Sequence, residues 1–252
     1  MLAAILQART GSTRLPNKVL KKIYGKTLLE LFVNRIRSSS LIEKIIIATT
    51  SNADDNVIEE LAQEIGVDCF RGNENDLLDR YYCCAKQFNV DPILRITPDD
   101  PFVDYQIIEK GVKIYRNTTV NFVTNHFEPT YPEGLDIEIY SFETLEKCWK
   151  RAKLASEREH VFLYIQNHPE EFKIVNFGQE RNYSHLRWTI DYQCDFEMTK
   201  AIYRHLYVQN HVFLQDDILK LLRKYPEIAE LNSHIGRKEG INKSKSLDQF
   251  QI

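Results

Sequence analysis

Three short segments gather the side chains of this sequence that could do phosphate chemistry. The first, QARTGSTRLPNK at 7–18, sets three cations, Arg9, Arg14 and Lys18, around Gly11 and the hydroxyls of Ser12 and Thr13. Cations, hydroxyl donors and a glycine that lets the backbone come close are the parts needed to hold a polyphosphate. On composition alone the same residues would also serve as a basic surface loop with a turn glycine, since short basic patches are weak motifs. The second segment, RITPDDPFVD at 95–104, carries the adjacent carboxylates Asp99 and Asp100 between two prolines. Hard oxygen ligands of that kind suit Mg2+ bound together with substrate phosphates. The third, RWTIDYQCDFE at 187–197, delivers Asp191 just ahead of a helix. Taken singly, either aspartate reads as a helix N-cap, where Asp is favoured for backbone reasons. Occurring with the basic loop, Asp99 and Asp191 read as a metal pair.

Other phosphate motifs are missing. Tyr24-Gly25-Lys26-Thr27 has the ending of a Walker A loop, but Leu20 stands where its first glycine belongs, and no G-x-G-x-x-G occurs. Kinases, P-loop ATPases and dinucleotide dehydrogenases thereby lose their main support. The seven histidines include no H-E-x-x-H spacing, and the five cysteines include no C-x-x-C pair, so neither zinc nor a disulfide framework is indicated and a cytoplasmic location is expected. The formal net charge of −3, from 33 basic and 36 acidic residues, supplies no positive field toward nucleic acid or membrane. Phosphate recognition therefore has to be local. The apolar run Met1–Leu6 is too short for a signal-peptide core or a bilayer span.

The elements around these segments fix where they can stand. Residues 2–6 read as a buried strand feeding the basic loop, and in open α/β sheets ligands bind beyond the carboxyl ends of the strands. Apolar residues at 28, 29, 31, 32 and 36 fit an amphipathic helix, and KIIIAT at 44–49 fits a strand covered on both faces. Asp54 or Asp55 would cap a helix whose apolar positions run from 57 to 65 and which stops at Gly66. The alternation continues with a strand near 67–70, a helix at 76–88, a strand at 93–97, a helix at 104–115 and a strand at 120–124. Repeated β-α-β units predict a mostly parallel sheet with helices on both faces.

Beyond 125 the rhythm changes. Leu135–Tyr140 alternates as a half-exposed antiparallel strand, with Glu133, Asp136 and Glu138 projecting toward an acceptor. Helices follow at 142–154 and 157–168, strands near 172–176 and 187–190, and helices near 195–207 and 216–224. His160 stays open between acceptor contact and packing, and Ser156 with Glu159 makes an S-x-x-E capping box. Residues 1–235 are expected as one domain, with an insertion around 126–170 for acceptor binding and dimerisation, followed by a loosely held tail at 236–252.

Together the motifs resemble a known family. QARTGSTRLPNK is similar to the signature of the cytidylyltransferases that activate keto-deoxy and sialic-type sugar acids, and is closer still to their relatives in spore-coat polysaccharide biosynthesis. The likeness runs on through FRGNENDLLDRYY at 70–82, RITPDDPFVD, EGLDIEIYS at 133–141, REHVFLYI at 158–165 and RWTIDYQCDFE, which is most of the chain. The resemblance implies a three-layer α/β/α, Rossmann-like nucleotidyltransferase fold of the GT-A type with a mixed, mostly parallel sheet. In it Arg9, Arg14 and Lys18 would hold the triphosphate of CTP, Asp99 and Asp191 would bind Mg2+, and the backbone of Leu6, Gln7 and Ala8 would receive the base. Gly11, Ser12, Asn73 and Arg95 complete the implied nucleotide-binding set. Arg9, Lys18, Asp99 and Asp191 are expected to be catalytic, and Glu133, Asp136, Glu138 and His160 to bind the acceptor. The partners would be CTP, a small sugar-type acceptor and a second copy in a homodimer. Two departures stand out: the family's usual Gly-Asp is here Pro98-Asp99 with Asp100 beside it, and its Asp-Thr-Pro-Glu-Asp is here Asp191-Tyr192-Gln193-Cys194-Asp195.

In the expected reaction the acceptor oxygen attacks the α-phosphorus in line and pyrophosphate leaves, while the cations offset its growing charge. No nucleophile-base pair suggests a covalent intermediate. A sugar hydroxyl would need a general base that the motifs do not supply, whereas a phosphate monoester is already anionic. A phosphorylated sugar or polyol, held by Arg95, Arg158 and Arg187, is therefore preferred over a free sugar acid. Asp195 is expected to matter much less than Asp191. Two rival readings are a glycosyltransferase, with Asp136-Ile137-Glu138 as its metal motif, and a catalytically silent nucleotide-binding protein. The triphosphate-sized loop speaks against the first, and the retained aspartates and cations speak against the second.

Overall fold

The computed structural model describes residues 1–209 and 211–237, together with 244, 245 and 248. Strand β1 (Ala3–Gln7) leads through the basic loop and a 3-10 turn at Lys18–Leu20 into a small hairpin, β2 (Lys22–Ile23) and β3 (Lys26–Thr27). Tyr24 and Gly25 turn that hairpin at φ 50° and 79°. There follow α1 (Leu28–Ile36), β4 (Lys44–Thr50), α2 (Asn56–Glu64), β5 (Asp68–Gly72), α3 (Leu77–Gln87), β6 (Ile93–Ile96), α4 (Tyr105–Asn117) and β7 (Phe122–Thr124). Then come β8 (Glu138–Tyr140), α5 (Phe142–Arg151), α6 (Ala155–Glu159), α7 (Leu163–Asn167), β9 (Ile174–Asn176), α8 (Gln193–Leu206), α9 (Gln215–Lys224) and α10 (Glu227–Glu230). Side-chain caps set several helix starts: Thr27 accepts from the Glu30 N–H at 3.1 Å, Asp76 from Asp79 at 2.9 Å, Asp104 from Gln106 at 2.8 Å and Ser141 from Thr144 at 3.1 Å.

The seven-stranded sheet runs β5-β4-β1-β6-β8-β7-β9. Strand β8 is antiparallel to both neighbours and every other pairing is parallel, which is the mixed, mostly parallel sheet expected. The two faces of β1 explain its unbroken apolar run. Ala4 and Leu6 pack into one core with α1, α2, α4, α8 and α9, while Ala3 and Ile5 pack into another with α3, α5 and α7. Leu6 stands opposite both Ile47 of β4 and Ile96 of β6, so β1 and β6 end within a residue of one another while β4 runs on to Thr50. The basic loop and the Asp99 turn leave the sheet from that common edge.

Several expectations are corrected. The strand expected over Leu135–Tyr140 shrinks to Glu138–Tyr140 and is buried on both faces, because it is wedged between β6 and β7 in mid-sheet under both helix layers. No strand forms at 187–190. Instead Arg187 makes an isolated bridge to Glu133, and the Trp188 N–H donates to the Glu133 carbonyl at 2.7 Å. Gly134 permits this approach: it sits at φ 102°, and a Cβ there would lie 2.7 Å from the Trp188 carbonyl carbon. The helix expected at 157–168 splits into α6 and α7 around His160, with its expected capping box unformed. Glu157 receives the Lys153 N–H at 3.3 Å instead, and Ser156 donates to Asp248. Asp55 stands at the start of α2 without capping it, its carboxylate being engaged elsewhere. The β2–β3 hairpin and α10 had no counterpart in the sequence reading. Most of the expected tail lies outside the described residues, but Arg237 pairs with Asp136 at 3.0 Å, and Ser244 hydrogen-bonds His160 at 3.0 Å.

Candidate active site

The basic loop is shaped by its own polar groups. The Thr10 carbonyl accepts from Ser12 at 2.8 Å and from Asn17 at 3.1 Å, which curls the loop back on itself. Asp55 pins that curl from below, accepting from the Thr10 N–H at 2.7 Å and its hydroxyl at 2.8 Å, and from the Thr50 hydroxyl. Burial pushes the Asp55 carboxyl up, but its Thr50 and Thr10 hydrogen bonds outweigh that and hold it below the usual carboxylate range. Asn17, at φ 55°, then turns the chain so that Lys18 points inward.

Lys18 is where the three sequence segments meet. Its ammonium donates to Asp99 Oδ2 at 2.7 Å, to the Ile190 carbonyl at 2.9 Å and to Asp191 Oδ1 at 3.0 Å. Arg14 reaches the same Asp191 Oδ1 at 2.6 Å and lies 5.4 Å from the Tyr192 ring centroid. Burial works against ionisation of Asp191, but the Lys18 charge and the Arg14 hydrogen bond prevail and lower it to about 2. Arg9 stands apart, half exposed and 3.6 Å from Glu74. Ser12 Oγ accepts from the Leu15 N–H at 3.4 Å, and a Cβ on Gly11 would meet only Glu74 Oε1 at 3.9 Å, so the loop's outer side is open.

Behind Asp191 lies a buried hub that the sequence reading missed. Asp195 is fully buried and accepts from the Asp191 and Tyr192 N–H groups, each at 2.9 Å, from Arg187 at 3.0 and 3.2 Å, and from Asn232 at 2.8 Å. Arg187 also reaches Asp191 Oδ2 at 3.2 Å and Glu133 at 3.1 Å. Asp195 therefore fixes the backbone that presents Asp191. Its spacing of four from Asp191 was the available signal; Asn232, distant in sequence, offered none. Asp100 is also buried and accepts from the Thr97 hydroxyl at 2.7 Å. Burial, then the Asp99 charge, push its carboxyl well up, favouring the protonated form.

The acceptor residues expected from one strand do not share one place. Glu133 joins the Arg187 hub, Asp136 pairs with Arg237, and only Glu138 belongs to β8. Glu138 Oε1 takes Arg95 at 2.6 Å and His126 at 3.0 Å. Asp136 and Glu138 thus have separate partners, which leaves the Asp136-Ile137-Glu138 metal motif without a common focus. Burial lowers the His160 imidazole below its ordinary value against the pull of Glu159, and the charges of Arg95 and Glu138 also act on it. Of the nucleotide set, Leu6 and Ala8 have buried side chains, which leaves only their backbone for the expected role toward the base. Gln7 accepts from Arg95 at 3.2 Å, and the Asn73 side chain accepts from the Asn75 N–H at 2.9 Å. The three arginines expected to hold an acceptor phosphate are all paired with carboxylates: Arg95 with Glu138, Arg158 with Asp76 and Arg187 with Asp195. Among the described residues, cavities of about 520 and 730 Å³ lie elsewhere, one beside β4 and β5 and one along α4.

The chain as a whole is similar to known proteins. A family model described as cytidylyltransferase matches residues 3–223. The chain is 37% identical over 239 residues to the uncharacterized protein MJ1063 of Methanocaldococcus jannaschii, covering 94% of this chain and 96% of that one. It is 30% identical to the spore coat polysaccharide biosynthesis protein SpsF of Bacillus subtilis, covering 89% and 95%. Among solved structures, a cytidylyltransferase from Leptospira borgpetersenii superposes with a TM-score of 0.88 at 34% identity, covering 94% of this chain and 99% of that one.

Proposed function

The chain belongs to the cytidylyltransferase family and is a nucleotidyltransferase, and from that premise we propose that it transfers CMP from CTP to a small sugar-type acceptor, with Mg2+ as cofactor and pyrophosphate as the second product. The observation that carries the reading is the meeting of Lys18, Arg14, Asp99 and Asp191 at the carboxyl edge of the parallel strands. The donor set fits the metal: two carboxylate oxygens and the Ile190 carbonyl already converge on one cationic nitrogen, and an all-oxygen set is what Mg2+ takes. When bound there, Mg2+ would orient the phosphates and stabilise developing charge.

The chain's own residues do the rest. Arg9, Arg14 and Lys18 hold the triphosphate and offset the charge that grows on the departing pyrophosphate. Asp195 and Arg187 hold Asp191 in place. Because Arg95 and Arg187 are buried in their carboxylate pairs, unlike the more exposed Arg9 and Arg14 of the loop, the reading turns to an unphosphorylated sugar-type acceptor. The relation to a polysaccharide biosynthesis protein supports a sugar.

The test is to incubate the purified protein with Mg2+, each of the four nucleoside triphosphates and a panel of sugar acids, sugars, sugar phosphates and alditol phosphates while following pyrophosphate. Release with CTP and a product holding a single phosphorus are expected. Silence with every pair would sink the reading, and a diphosphate-bridged product would restore the phosphorylated acceptor.

A further inference from the structure

We propose that Lys18 is a placeholder for the divalent cation: its ammonium holds Asp99 and Asp191 at ligand spacing in the nucleotide-free protein and keeps the ion out until a triphosphate draws it away. This rests on the reading of Asp99 and Asp191 as the metal ligands. An ammonium has three N–H donors, and those of Lys18 have three oxygen partners, Asp99 Oδ2, Asp191 Oδ1 and the Ile190 carbonyl, at 2.7 to 3.0 Å. Two carboxylates held so near one another repel unless a cation sits between them. Lys18 is that cation, with only 14% of its side chain exposed. A Mg2+ ion held by Asp99 and Asp191 would need the same carboxylates and would compete with the ammonium for one space.

The loop supplies the means of exchange. Lys18 is a point charge on a flexible stem, unlike the planar fork of an arginine, and can change partners without moving the backbone. The place for a triphosphate lies along the same loop, where Arg9 is half exposed and the outer side of Gly11 is open. A bound triphosphate offers Lys18 new anionic partners as it brings the metal in. Metal and nucleotide would then enter together, and free metal would be refused.

Two measurements on the full chain decide this. Binding of Mn2+ alone is followed by electron paramagnetic resonance in the wild type, in Lys18→Met and Lys18→Gln, and in Arg9→Gln, which removes one charge from the same loop without touching either aspartate. Without nucleotide, both Lys18 variants should bind Mn2+ at least about tenfold more tightly than wild type, a modest share of what a unit charge within hydrogen-bond distance of a carboxylate is worth. Arg9→Gln should stay within about twofold of wild type, since an exposed charge is screened. In the second measurement, the 15N ammonium signal of Lys18 in the wild type should shift on addition of CTP in EDTA. Equal Mn2+ affinity in wild type and Lys18 variants, an equal gain in Arg9→Gln, or an unmoved Lys18 signal with CTP bound would each overturn the placeholder. The Mn2+ arm uses no nucleotide, so a protein that shows the expected difference yet releases no pyrophosphate would retain the placeholder and lose the proposed function.

Discussion

Three cations converge on Asp191: Arg14 and Lys18 on one oxygen, Arg187 on the other. Such crowding is costly to bury unless a ligand uses it, and it marks this carboxylate and Asp99 as the pair whose loss matters for chemistry. Asp99→Ala and Asp191→Ala are each expected to lower kcat by at least about 100-fold, the effect of deleting one electrostatic stabiliser, as read by pyrophosphate release at saturating CTP. Activity within a few fold of wild type would remove the residue from the site. Asp55 acts differently, because its partners are Thr10 in the loop and Thr50 at the end of β4. A carboxyl whose folded pKa is depressed adds stability above its unfolded value of about 3.9 and loses that stability as pH falls through the lower folded value. Asp55→Asn should therefore lower the melting temperature at pH 6 and lose less than wild type between pH 5 and 2. An identical pH slope would show that the carboxylate's charge is not what pins Thr10.

At the scale of elements, the Asp191 turn is held from behind by α8 and by the residue pair Arg187 and Asn232. The expectation that Asp195 matters much less than Asp191 concerns activity; for stability, Asp195 is a fully buried carboxylate that receives bonds from Asp191, Tyr192, Arg187 and Asn232. Asp195→Ala leaves Arg187 buried beside a lost partner and should cost about 3 kcal/mol or more in stability. Chemical denaturation measures it, and a loss under about 1 kcal/mol, the size of an ordinary surface change, would contradict the hub. Asn232→Ala should be milder, about 1–3 kcal/mol for the unsatisfied groups it leaves.

Across the whole molecule, one buried guanidinium joins three distant stretches. Arg35 of α1 donates to the carbonyls of Phe102 at 3.2 Å, Val103 at 2.9 Å and Phe213 at 2.7 Å, and its Cζ lies 4.6 Å from the Phe213 ring centroid. The carbonyls of Phe102 and Val103 belong to the segment that follows Asp99 and Asp100, so this stitch ties that turn to α1 and to the stretch around Phe213 within one core. Burial pulls the Arg35 pKa down, yet its three carbonyl partners and the Phe213 ring keep the group satisfied. Arg35→Leu strips three carbonyls of their donor and should cost about 3 kcal/mol or more. Thermal unfolding followed by circular dichroism reads this, and an unchanged midpoint would show that the stitch carries no weight.

Much of this was already present in the order of residues. The β-α-β alternation, the basic loop after the first strand and the two aspartates proposed to hold the metal follow from periodicity and local chemistry, which act within a few residues along the chain. The sequence also carried the family likeness, because its motifs are contiguous segments. Partnerships were decided elsewhere. That Glu138 is spent on Arg95 and His126, that Arg158 is spent on Asp76, and that Asp195 anchors Asp191 depend on contacts between residues far apart in sequence, which no local pattern encodes. Likewise Leu135–Tyr140 has the alternation of a half-exposed strand, and only the insertion of its Glu138–Tyr140 part between β6 and β7 buried both faces there. Sequence sets which groups are available; tertiary packing decides which of them are already neutralised and which remain for a ligand, because burial makes every charge find its partner.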